Sequence, residues 1–551
     1  MMNRRTFLQT SGRLAATMSL VGHLSVLAET PKRPNIVLIL ADDMGYSDLG
    51  CYGGEIDTPN LDRLAANGLR FTQFYNTARC CPTRASLLTG LYPHQADVGH
   101  MVYADRGPGY RGRLNQRCVT LAEVLKDAGY HTMIAGKWHV GHTKGVLPSD
   151  RGFDRFYGIH KHVDSYFKVL PGCSVYADAR ELIPATDDPP NQLHPEQEWY
   201  TTNVFTDHAL KFLDAATDSD KPFFLYVAYN APHWPLEALD EDIRKYRGKY
   251  SDGWATVRRQ RVERMRKMGL LDERWELPPD DGPDWTSLSK DDRDNLDFRR
   301  SIYAAQIDCM DQNIGRLLDR LRARGAMANT LIMFLSDNGC SAEPEQEMFG
   351  YRFAQNRVEN FTSWRKDSGR SASQGLAWAN ASNTPFRKYK RWTHEGGIAT
   401  PLIVHWPQGI SDPGGLVRQP GHVIDIMATC VNVSEASYTR HYRRNEIQPM
   451  EGSSLVPAFQ GRPIDRVKPI FWEHEGNWAI RDGKWKLVCD GPGDKWELYD
   501  LEADRTELHN LADKTPQRVK AMAQIWQQWA RERNVLPWPW KPAWNQQRPT
   551  E

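Results

Sequence analysis

The chain has 551 residues, enough for one large domain and a smaller one with a substantial hydrophobic core. Its 70 Lys and Arg residues nearly balance 69 Asp and Glu residues, so the formal net charge is +1. This balance excludes a general electrostatic affinity for nucleic acid or anionic lipid. The nine cysteines are scattered without zinc-type spacing, so neither a disulfide framework nor a zinc knuckle is indicated.

The N-terminus has the features of an export signal. Residues 3–9 read Asn-Arg-Arg-Thr-Phe-Leu-Gln, a twin-arginine pattern, and a mildly apolar run extends to Ala28. That run contains Gly, Ser, Thr and His and is too short for a convincing membrane span. An ordinary secretory signal and an uncleaved anchor are the alternatives. We interpret residues 1–28 as a twin-arginine signal peptide, which predicts a periplasmic or secreted bacterial protein that uses the twin-arginine export machinery.

The first predicted strand, residues 34–40, is a continuous apolar run rich in β-branched residues. Such a run is typical of a strand buried on both faces. It leads into Asp42 and Asp43, and two adjacent carboxylates at the end of a buried strand repel each other unless a cation lies nearby. A helix N-cap would explain one aspartate but not two, so the pair indicates a metal site or an anion-handling site.

The stretch at residues 80–90 reads Cys-Cys-Pro-Thr-Arg-Ala-Ser-Leu-Leu-Thr-Gly. Pro82 fits the first residue of a helix, because its missing N–H is not needed there. The two cysteines then lie at the helix N-terminus, where free N–H groups and the helix dipole favour an anion, and Arg84 adds a positive charge. Alternatively, the cysteines are small buried hydrophobic residues.

Two short apolar strands further along the chain each end in a polar cluster. Residues 131–135 lead into Gly-Lys-Trp-His and residues 223–228 lead into Tyr-Asn-Ala-Pro-His, which places Lys137, His139 and His233 directly after strands. Helical stretches separate the strands. This alternation predicts an α/β fold with a large, mostly parallel mixed sheet flanked by helices. A single polar residue after a strand is commonly a solvated loop residue, whereas repeated polar clusters at strand ends indicate a site.

Another buried strand is predicted at residues 330–335, and it is followed by Asp337 and Asn338. In an open parallel sheet the carboxyl ends of the strands line one crevice, so this end can meet the earlier aspartate pair. Three carboxylates and one amide oxygen suit a hard cation such as Ca²⁺ or Mg²⁺. Zinc would favour His and Cys ligands instead.

The stretch at residues 80–90 resembles the sulfatase signature Cys-x-Pro-Ser/Thr-Arg-x-x-x-Leu-Thr-Gly, with every position filled. The resemblance implies that Cys80, and not Cys81, is converted by a formylglycine-generating enzyme. The product, formylglycine (3-oxoalanine), is an aldehyde that acts as its hydrate. The resemblance also implies one Ca²⁺ ion, held by the residues that match the family's ligands: Asp42, Asp43, Asp337, Asn338 and the converted Cys80.

A basic stretch at residues 385–397 resembles a second sulfatase element, Pro-Leu/Phe-Arg-Gly-Gly-Lys-x-x-x-x-Glu-Gly-Gly. Two glycines of that element are replaced here by Lys388 and Tyr389, so the backbone can run differently at this point. The spacing nevertheless places Lys390 at the position of the family's sulfate-binding lysine. A solvated basic loop is the alternative interpretation.

The resemblance implies a role for each residue of a catalytic set. Arg84 would hold the formylglycine hydrate, and Lys137 and Lys390 would clamp the sulfate group. His233 would protonate the leaving oxygen, and His139 would accept the proton of the second hydrate hydroxyl. The implied reaction is arylsulfatase-like hydrolysis of a sulfate ester, with S–O cleavage through a covalent sulfo-enzyme intermediate. A sulfated carbohydrate is one candidate for the natural substrate.

After about residue 440, short strand-like pieces joined by turn sequences predict a small antiparallel sheet, followed by a helix near residues 516–533. This pattern resembles the C-terminal subdomain of sulfatases. We therefore divide the mature chain into a catalytic α/β domain at residues 29–440 and an α+β subdomain at residues 441–551.

Three residues are candidates for contact with the substrate: Ser165, Glu473 and His474. The last two are predicted to fall between strands, either as turn residues or as substrate contacts. Residues 341–382 have no periodicity and are predicted to form a long loop near the mouth of the site.

Two alternative functions stay open at this stage. The anion clamp and the metal would also suit a formylglycine-dependent hydrolase of phosphonate or phosphate esters. A sulfatase-like binding protein without turnover is the other alternative. The presence of His139 and His233 argues against it, because binding alone requires no acid–base pair.

Overall fold

The computed structural model describes residues 33–162, 164–343, 373–491 and 495–538. The predicted signal peptide at residues 1–28 lies outside the described residues. No helix within the described ranges is long and apolar enough to cross a lipid bilayer.

One large mixed sheet contains eleven strands: β1 (Asn35–Ala41), β2 (Leu69–Tyr75), β3 (His131–Lys137), β4 (Arg155–Ile159), β5 (Val175–Ala177), β6 (Arg180–Ile183), β7 (Phe223–Ala228), β8 (Thr330–Ser336), β9 (Ala399–His405), β10 (Leu416–Val417) and β11 (Gly421–His422). The strand order is β10-β2-β9-β8-β1-β7-β3-β4-β5-β6, and β11 also pairs with β2. Strands β8, β1, β7, β3 and β4 are mutually parallel, whereas β9 runs antiparallel to both of its neighbours. The predicted large, mostly parallel mixed sheet is confirmed.

Helices cover both faces of this sheet. In chain order the helices are α1 (Pro59–Ala66), α2 (Cys80–Thr89), α3 (Leu121–Asp127), α4 (Thr201–Thr217), α5 (Asp240–Tyr246), α6 (Gly253–Lys267), α7 (Lys290–Ala323), α8 (Gly375–Ser382), α9 (Glu395–Ile398), α10 (Asp425–Ser434), α11 (Val456–Phe459) and α12 (Pro516–Glu532). Short 3₁₀ turns lie at Gly50–Tyr52, Trp285–Ser287, Met327–Asn329 and Ala512–Lys514.

The central strand β1 shows why the sheet needs helices on both faces. Val37 and Ile39 pack in one core with α1, α4 and α7, whereas Ile36 and Leu38 pack in another core with α2, α3 and α10. Successive side chains of a strand point to opposite faces, so an uninterrupted apolar strand must be buried on both. This arrangement leaves the polar residues that follow the strand at the carboxyl edge of the sheet.

The C-terminal residues form a small antiparallel sheet, as the sequence predicts. A two-residue hairpin of β12 (His441–Tyr442) and β13 (Asn445–Glu446) precedes the four strands β14 (Ile470–His474), β15 (Asn477–Asp482), β16 (Trp485–Cys489) and β17 (Glu497–Asp500). Phe471 and Ile480 pack against α12, whereas Trp472 and Ala479 join the core beneath the large sheet. The predicted boundary at residues 440 and 441 stays a prediction.

The segment predicted to be a long loop is partly helical. Residues 344–372 lie outside the described residues, but residues 375–382 form α8. Trp378 in α8 is fully buried, with its ring 5.7 Å from that of Trp254 and 6.0 Å from that of Trp285. Eight residues are too few for a clear periodicity, so the helix depends on this tertiary packing.

Two local predictions are also corrected. Because α2 begins at Cys80, Pro82 is the third residue of the helix and not the first. The N–H groups of a helix's first turn have no intrahelical partner, so proline is tolerated there as well. Glu473 and His474 are the last two residues of β14 and do not fall between strands.

A buried ionic cluster joins the C-terminal sheet to the large sheet. Glu395, at the start of α9, accepts hydrogen bonds from Lys486 Nζ at 3.0 Å, from Arg505 Nε at 2.9 Å and from the hydroxyl of Tyr75 at 2.9 Å. Burial raises the pKa of Glu395, but Lys486 and Arg505 outweigh that effect and hold the pKa at about 2, below its ordinary value of 4.5. The carboxylate is therefore ionised in the folded protein.

Replacing Glu395 by alanine is expected to lower the free energy of unfolding by about 3–5 kcal/mol, because buried cations lose a partner. Lys484→Ala is the control: its partner is Asp500 at 2.6 Å, but the lysine is 41% exposed, so the unfolding midpoint should not change. The folded pKa of Glu395 lies below the unfolded one, so its contribution is complete above pH 4.5 and is lost as the pH falls towards 2. Urea unfolding of both variants tests this, and equal midpoints would contradict it.

Candidate active site

Acidic residues that follow two neighbouring strands meet at the carboxyl edge of the large sheet. Strands β1 and β8 are parallel and paired up to their last residues, so Asp42 and Asp43 lie beside Asp337 and Asn338. The Asn338 side-chain amide donates to Asp43 Oδ1 at 2.6 Å, and the backbone N–H of Asp43 donates to Asp337 Oδ1 at 3.2 Å. All four residues are buried. The structure thus brings together the oxygen set that the sequence predicts, and we call it the acidic edge.

Arg84 and Lys137 neutralise two carboxylates of the acidic edge. Arg84 donates from Nε and Nη2 to Asp337 Oδ2 at 3.1 and 2.8 Å, and its Nη2 lies 3.3 Å from Asp42 Oδ2. Lys137 is the last residue of β3, and its Nζ lies 2.5 Å from the same Asp42 oxygen. Arg84 also donates from Nη1 to the backbone oxygen of Lys137 at 3.0 Å, which ties α2 to β3.

Lys390 neutralises the third carboxylate. Its Nζ lies 2.8 Å from Asp43 Oδ2 and 3.2 Å from His233 Nε2. Lys388, which replaces a family glycine, has φ +66°, so the chain keeps a left-handed conformation here that glycine adopts more readily. The changed loop therefore still delivers Lys390 to the acidic edge.

Asp42 and Asp337 both contact Arg84, but their pKa values are shifted in opposite directions. Burial, followed by repulsion from Asp42, raises the pKa of Asp337 well above its ordinary value. Burial also opposes ionisation of Asp42, but Lys137, His233 and Arg84 outweigh it and lower the pKa of Asp42. Asp42 is therefore the more readily ionised of the two carboxylates, although both contact Arg84.

Two oxygens of the acidic edge are available to a metal ion. Within the described part of the chain, Asp42 Oδ1 and Asn338 Oδ1 are buried and have no hydrogen-bond partner. Buried polar atoms are normally paired, so two orphaned acceptors next to two more carboxylates call for a ligand. An all-oxygen set of this kind fits a hard divalent cation such as calcium or magnesium.

Cys80 opens α2 beside these groups. Its sulfur, the sulfur of Cys81 and a ring nitrogen of His139 all lie within 4.8 Å of one another, and all three residues are buried. The hydrogen bond with Cys81, together with the charge of Lys137, lowers the pKa of Cys80 well below its ordinary value. Burial and the neighbouring Cys80 raise the pKa of Cys81. The pKa values of the two adjacent cysteines are therefore shifted in opposite directions, and the Cys80 thiol is the more acidic one.

His233 faces the acidic edge through Nε2. Its Nδ1 lies 2.5 Å from the backbone oxygen of Trp234, which can only accept, so Nδ1 carries a proton. Nε2 lies 3.4 Å from Asp43 Oδ2, in addition to its contact with Lys390. His233 can therefore exchange a proton at Nε2.

His139 lies on the Cys80 side of the site. It is fully buried, and neither ring nitrogen has a hydrogen-bond partner within the described ranges. Burial, and then the charge of Lys137, lowers the pKa of His139 to about 4. The imidazole is therefore neutral near pH 7 and can accept a proton.

Two residues of the site are not predicted from the sequence. The ring of His162 lies 4.4 Å from that of His233 and 6.3 Å from that of His139. His162 follows β4, which was not predicted as a strand, although a polar cluster after a parallel strand would have been the signal. Glu343 pairs with Arg79 Nη1 at 2.5 Å and lies 3.7 Å from Lys390 Nζ. It belongs to the segment predicted as a loop, where no pattern points to it.

Two of the three candidates for substrate contact are hydrogen-bonded within the protein, and the third is buried. Ser165 Oγ donates to Glu237 Oε2 at 2.8 Å. Glu473 Oε2 is hydrogen-bonded to a histidine and a tyrosine at 2.8 and 2.9 Å, and His474 is fully buried. Their contact with a substrate stays a prediction.

The parallel-sheet fold, with buried cations and carboxylates beside Cys80, suits a hydrolase of anionic esters. The family model described as Sulfatase matches residues 34–435, and a model described as N-sulphoglucosamine sulphohydrolase, C-terminal, matches residues 386–534. The chain belongs to the sulfatase family, and it is a sulfuric ester hydrolase.

Relatives support this assignment along most of the chain. The arylsulfatase of Klebsiella aerogenes is 34% identical over 457 residues, covering 80% of this chain and 95% of the relative. The N-acetylgalactosamine-6-sulfatase of Rattus norvegicus is 30% identical over 522 residues, covering 93% and 81%. The crystal structure of Ps i-CgsB in complex with k-i-k-neocarrahexaose has a TM-score of 0.64 and 24% identity, covering 92% and 95%. That structure shares the fold.

Proposed function

We propose that this sulfatase acts through a formylglycine formed from Cys80 and that its natural substrate is a sulfated carbohydrate. The observation that supports the mechanism most is the position of Cys80, buried at the start of α2 among Lys137, His139 and Arg84. When present, the hydrated aldehyde supplies a nucleophilic hydroxyl and a second hydroxyl whose loss regenerates the aldehyde. An unmodified thiol offers no such second hydroxyl.

A calcium ion is proposed at the acidic edge. Asp42, Asp43, Asp337 and Asn338 would hold it, because their oxygens are buried together and two of them lack a partner in the described structure. The ion would supply positive charge that makes a bound hydroxyl more acidic. Asp42 and Asp43 now pair with Lys137 and Lys390, so both lysines lie within reach of any group bound at this edge.

Lys137 and Lys390 are proposed to hold the sulfate oxygens. Both side chains are fully buried or nearly so, and each is fixed by a carboxylate. Buried, preoriented ammonium groups stabilise negative charge more strongly than solvated ones, because little reorganisation is needed when the charge develops. Arg84 fixes the geometry, since it joins the helix that bears Cys80 to two of the carboxylates.

The two histidines divide the proton transfers. His233 presents Nε2 towards the lysine clamp and is proposed to donate a proton to the leaving oxygen. His139 is neutral, buried and within 4.8 Å of the Cys80 sulfur, which suits a base acting at that side chain. In this proposal the acid and the base are two different histidines, one beside Lys390 and the other beside Cys80.

A carbohydrate substrate has two supports. The relative from Rattus norvegicus is named for a sulfated amino sugar, and it covers nearly the whole chain. In the chain itself, His233 is flanked by Trp234 and His162, with ring centroids at 4.9 and 4.4 Å. An aromatic face next to a polar ring suits a hydroxylated sugar ring.

Rates with a matched panel of esters test the proposal. The kcat/KM is measured for three nitrophenyl esters: the sulfate, the phosphate and the phosphonate. It is also measured for one carbohydrate sulfate, the 6-O-sulfate of N-acetylgalactosamine. We expect the sulfates to be preferred over both phosphorus esters, and the sugar sulfate to be hydrolysed. A higher kcat/KM on phosphonate or phosphate would instead assign the chain to the alternative class of ester hydrolase. Failure on the sugar sulfate alone would remove that carbohydrate assignment.

Replacing His233 by glutamine is expected to slow hydrolysis of a sugar sulfate by about 10²–10⁴-fold, the usual effect of losing a general acid. The loss should be much smaller with nitrophenyl sulfate, because nitrophenolate leaves without protonation. His139→Gln is the matched control, since a base at Cys80 is required whichever group leaves. Measured kcat values for both substrates test this, and equal losses in His233→Gln would contradict the assigned role.

We also propose how the protein is exported and when its Cys80 is modified. The Arg4-Arg5 pattern near the N-terminus supports twin-arginine export to the periplasm or the medium. That route carries folded proteins, so a formylglycine-generating enzyme could act on Cys80 before export. Replacing Arg4 and Arg5 by lysine should retain the protein in the cytoplasm, as measured by cell fractionation.

A further inference from the structure

A second group of metal-binding side chains, which we call the His–His–Glu cluster, consists of His100, His474 and Glu475. One ligand atom from each residue lies within 4.8 Å of the other two. Glu475 Oε1 lies 2.8 Å from His100 Nε2 and 3.8 Å from His474 Nε2. The imidazole rings are stacked with centroids 5.4 Å apart. None of these residues belongs to the acidic edge.

The environment of the His474 ring indicates that this cluster binds a ligand. Its side chain is fully buried, and neither ring nitrogen has a hydrogen-bond partner among the described residues. A buried polar atom without a partner is costly, and His474 Nε2 faces the carboxylate of Glu475. Burial favours the neutral imidazole, which is the form that binds metal ions.

The position of Glu475 is unusual for a glutamate. Glu475 and Gly476 form the two-residue turn between β14 and β15, and Glu475 has φ +51°. Turns of this type favour Asn, Asp or Gly because of the left-handed conformation. The strained conformation aims Oε1 at both histidines, while Oε2 lies 2.6 Å from Arg391 Nε. The carboxylate is thus held by an outer partner, as metal-binding carboxylates commonly are.

We propose that the His–His–Glu cluster binds a zinc ion. Two imidazole nitrogens and one carboxylate oxygen are a zinc-type ligand set, with a fourth position left for water. The acidic edge, with its four oxygen residues, selects a different kind of cation. The chain therefore carries two cation sites with different metal preferences.

An anionic group of a substrate is a less suitable occupant of this cluster. The neighbouring arginines are already neutralised, Arg79 by Glu343 at 2.5 Å and Arg391 by Glu475 at 2.6 Å. A bound anion would also lie against the Glu475 carboxylate. The unprotonated ring nitrogen of a neutral His474 offers a lone pair, which can bind a cation but not an anion.

The zinc ion would tie separate parts of the chain together. His100 lies in the loop after α2, whereas His474 and Glu475 belong to the C-terminal sheet. Arg391 directly follows Lys390, so its bond to Glu475 links the cluster to the loop that supplies Lys390 to the acidic edge. The ion would therefore stabilise this loop.

Zinc uptake by the full-length protein tests the proposal. Wild type, His100→Gln and His474→Gln are incubated with Zn²⁺ in the presence of excess Ca²⁺, desalted and analysed for metal. We expect wild type to hold one more zinc ion per chain than either variant, since zinc bound at other sites cancels in the difference. Zinc should also raise the Tm of wild type and not that of the variants. Equal uptake in all three proteins would overturn the proposal.

Two further variants separate metal loss from misfolding. His94 is also buried and lies 2.8 Å from a glutamate, Glu473, but it belongs to no such three-residue group among the described residues, so His94→Gln should keep the zinc ion. Arg391→Ala leaves every ligand in place and removes only the outer partner of Glu475. It should weaken zinc binding by about 10–100-fold in a titration, the usual effect of losing such a partner. Unchanged affinity in Arg391→Ala would remove its assigned role.

Discussion

Asp337→Ala is expected to abolish calcium binding and turnover together. Asp337 contributes one of three buried carboxylates at the acidic edge, and it is also the main partner of Arg84. Metal ions commonly contribute several kcal/mol to catalysis, so kcat/KM should fall by at least about 10³-fold. Wild-type protein should gain about 2.7 kcal/mol of stability at a calcium concentration 100-fold above Kd, and the variant should not.

The measurement combines calcium titration, the Tm with and without calcium, and the rate with nitrophenyl sulfate. Asp311→Asn is the matched control, because Asp311 is buried too but accepts the backbone N–H groups of Asn60 and Leu61 at the start of α1. Burial raises the pKa of Asp311 to about 6. This variant should keep the calcium-dependent rise in Tm. Calcium retained by Asp337→Ala with unchanged affinity would mean that the ion binds elsewhere.

Cys80→Ala is expected to lower kcat by at least about 10⁴-fold, the scale of losing a covalent nucleophile. Cys81→Ala should keep most of the activity. The two side chains are adjacent and both buried, so the pair compares two positions of nearly equal packing. The pKa is lowered at Cys80 and raised at Cys81, and only Cys80 is in register with Pro82 and Arg84 of the signature.

The mass of the peptide that contains both cysteines gives the second readout. Protein produced with a formylglycine-generating enzyme should carry the aldehyde at Cys80 in wild type and in Cys81→Ala, and no aldehyde in Cys80→Ala. Full activity in protein whose Cys80 is an unmodified thiol would eliminate the proposed mechanism. An aldehyde on Cys81 would instead show that the signature is shifted by one residue in this chain.

Most of the acidic edge and its cations could be predicted from the sequence, because local patterns carry them. A buried parallel strand is a continuous apolar run, and the residues that follow it lie at the carboxyl edge by necessity. Asp42 and Asp337 could therefore be placed at one edge from the strand pattern alone. Cys80 and Arg84 lie four residues apart on one helix, so they share a face whatever the rest of the fold does.

Other features depend on contacts between distant parts of the chain. Glu343 reaches Arg79, which is 264 residues away, and nothing in the sequence around either residue indicates the pair. The helix at residues 375–382 forms because Trp378 is buried among other tryptophans, and eight residues alone would not be stably helical. Lys390 depends on a left-handed residue at Lys388, a conformation that lysine itself disfavours.

The sequence alone thus determined the central strands of the sheet, the sulfatase signature and the residues of the acidic edge, since each follows from periodicity or from spacing within one element. Only the tertiary structure decided which charges pair, that His162 lies beside His233, and that His100 meets His474 and Glu475. The physical reason is that side-chain periodicity is local, whereas partners hundreds of residues apart are chosen by strand order and loop packing.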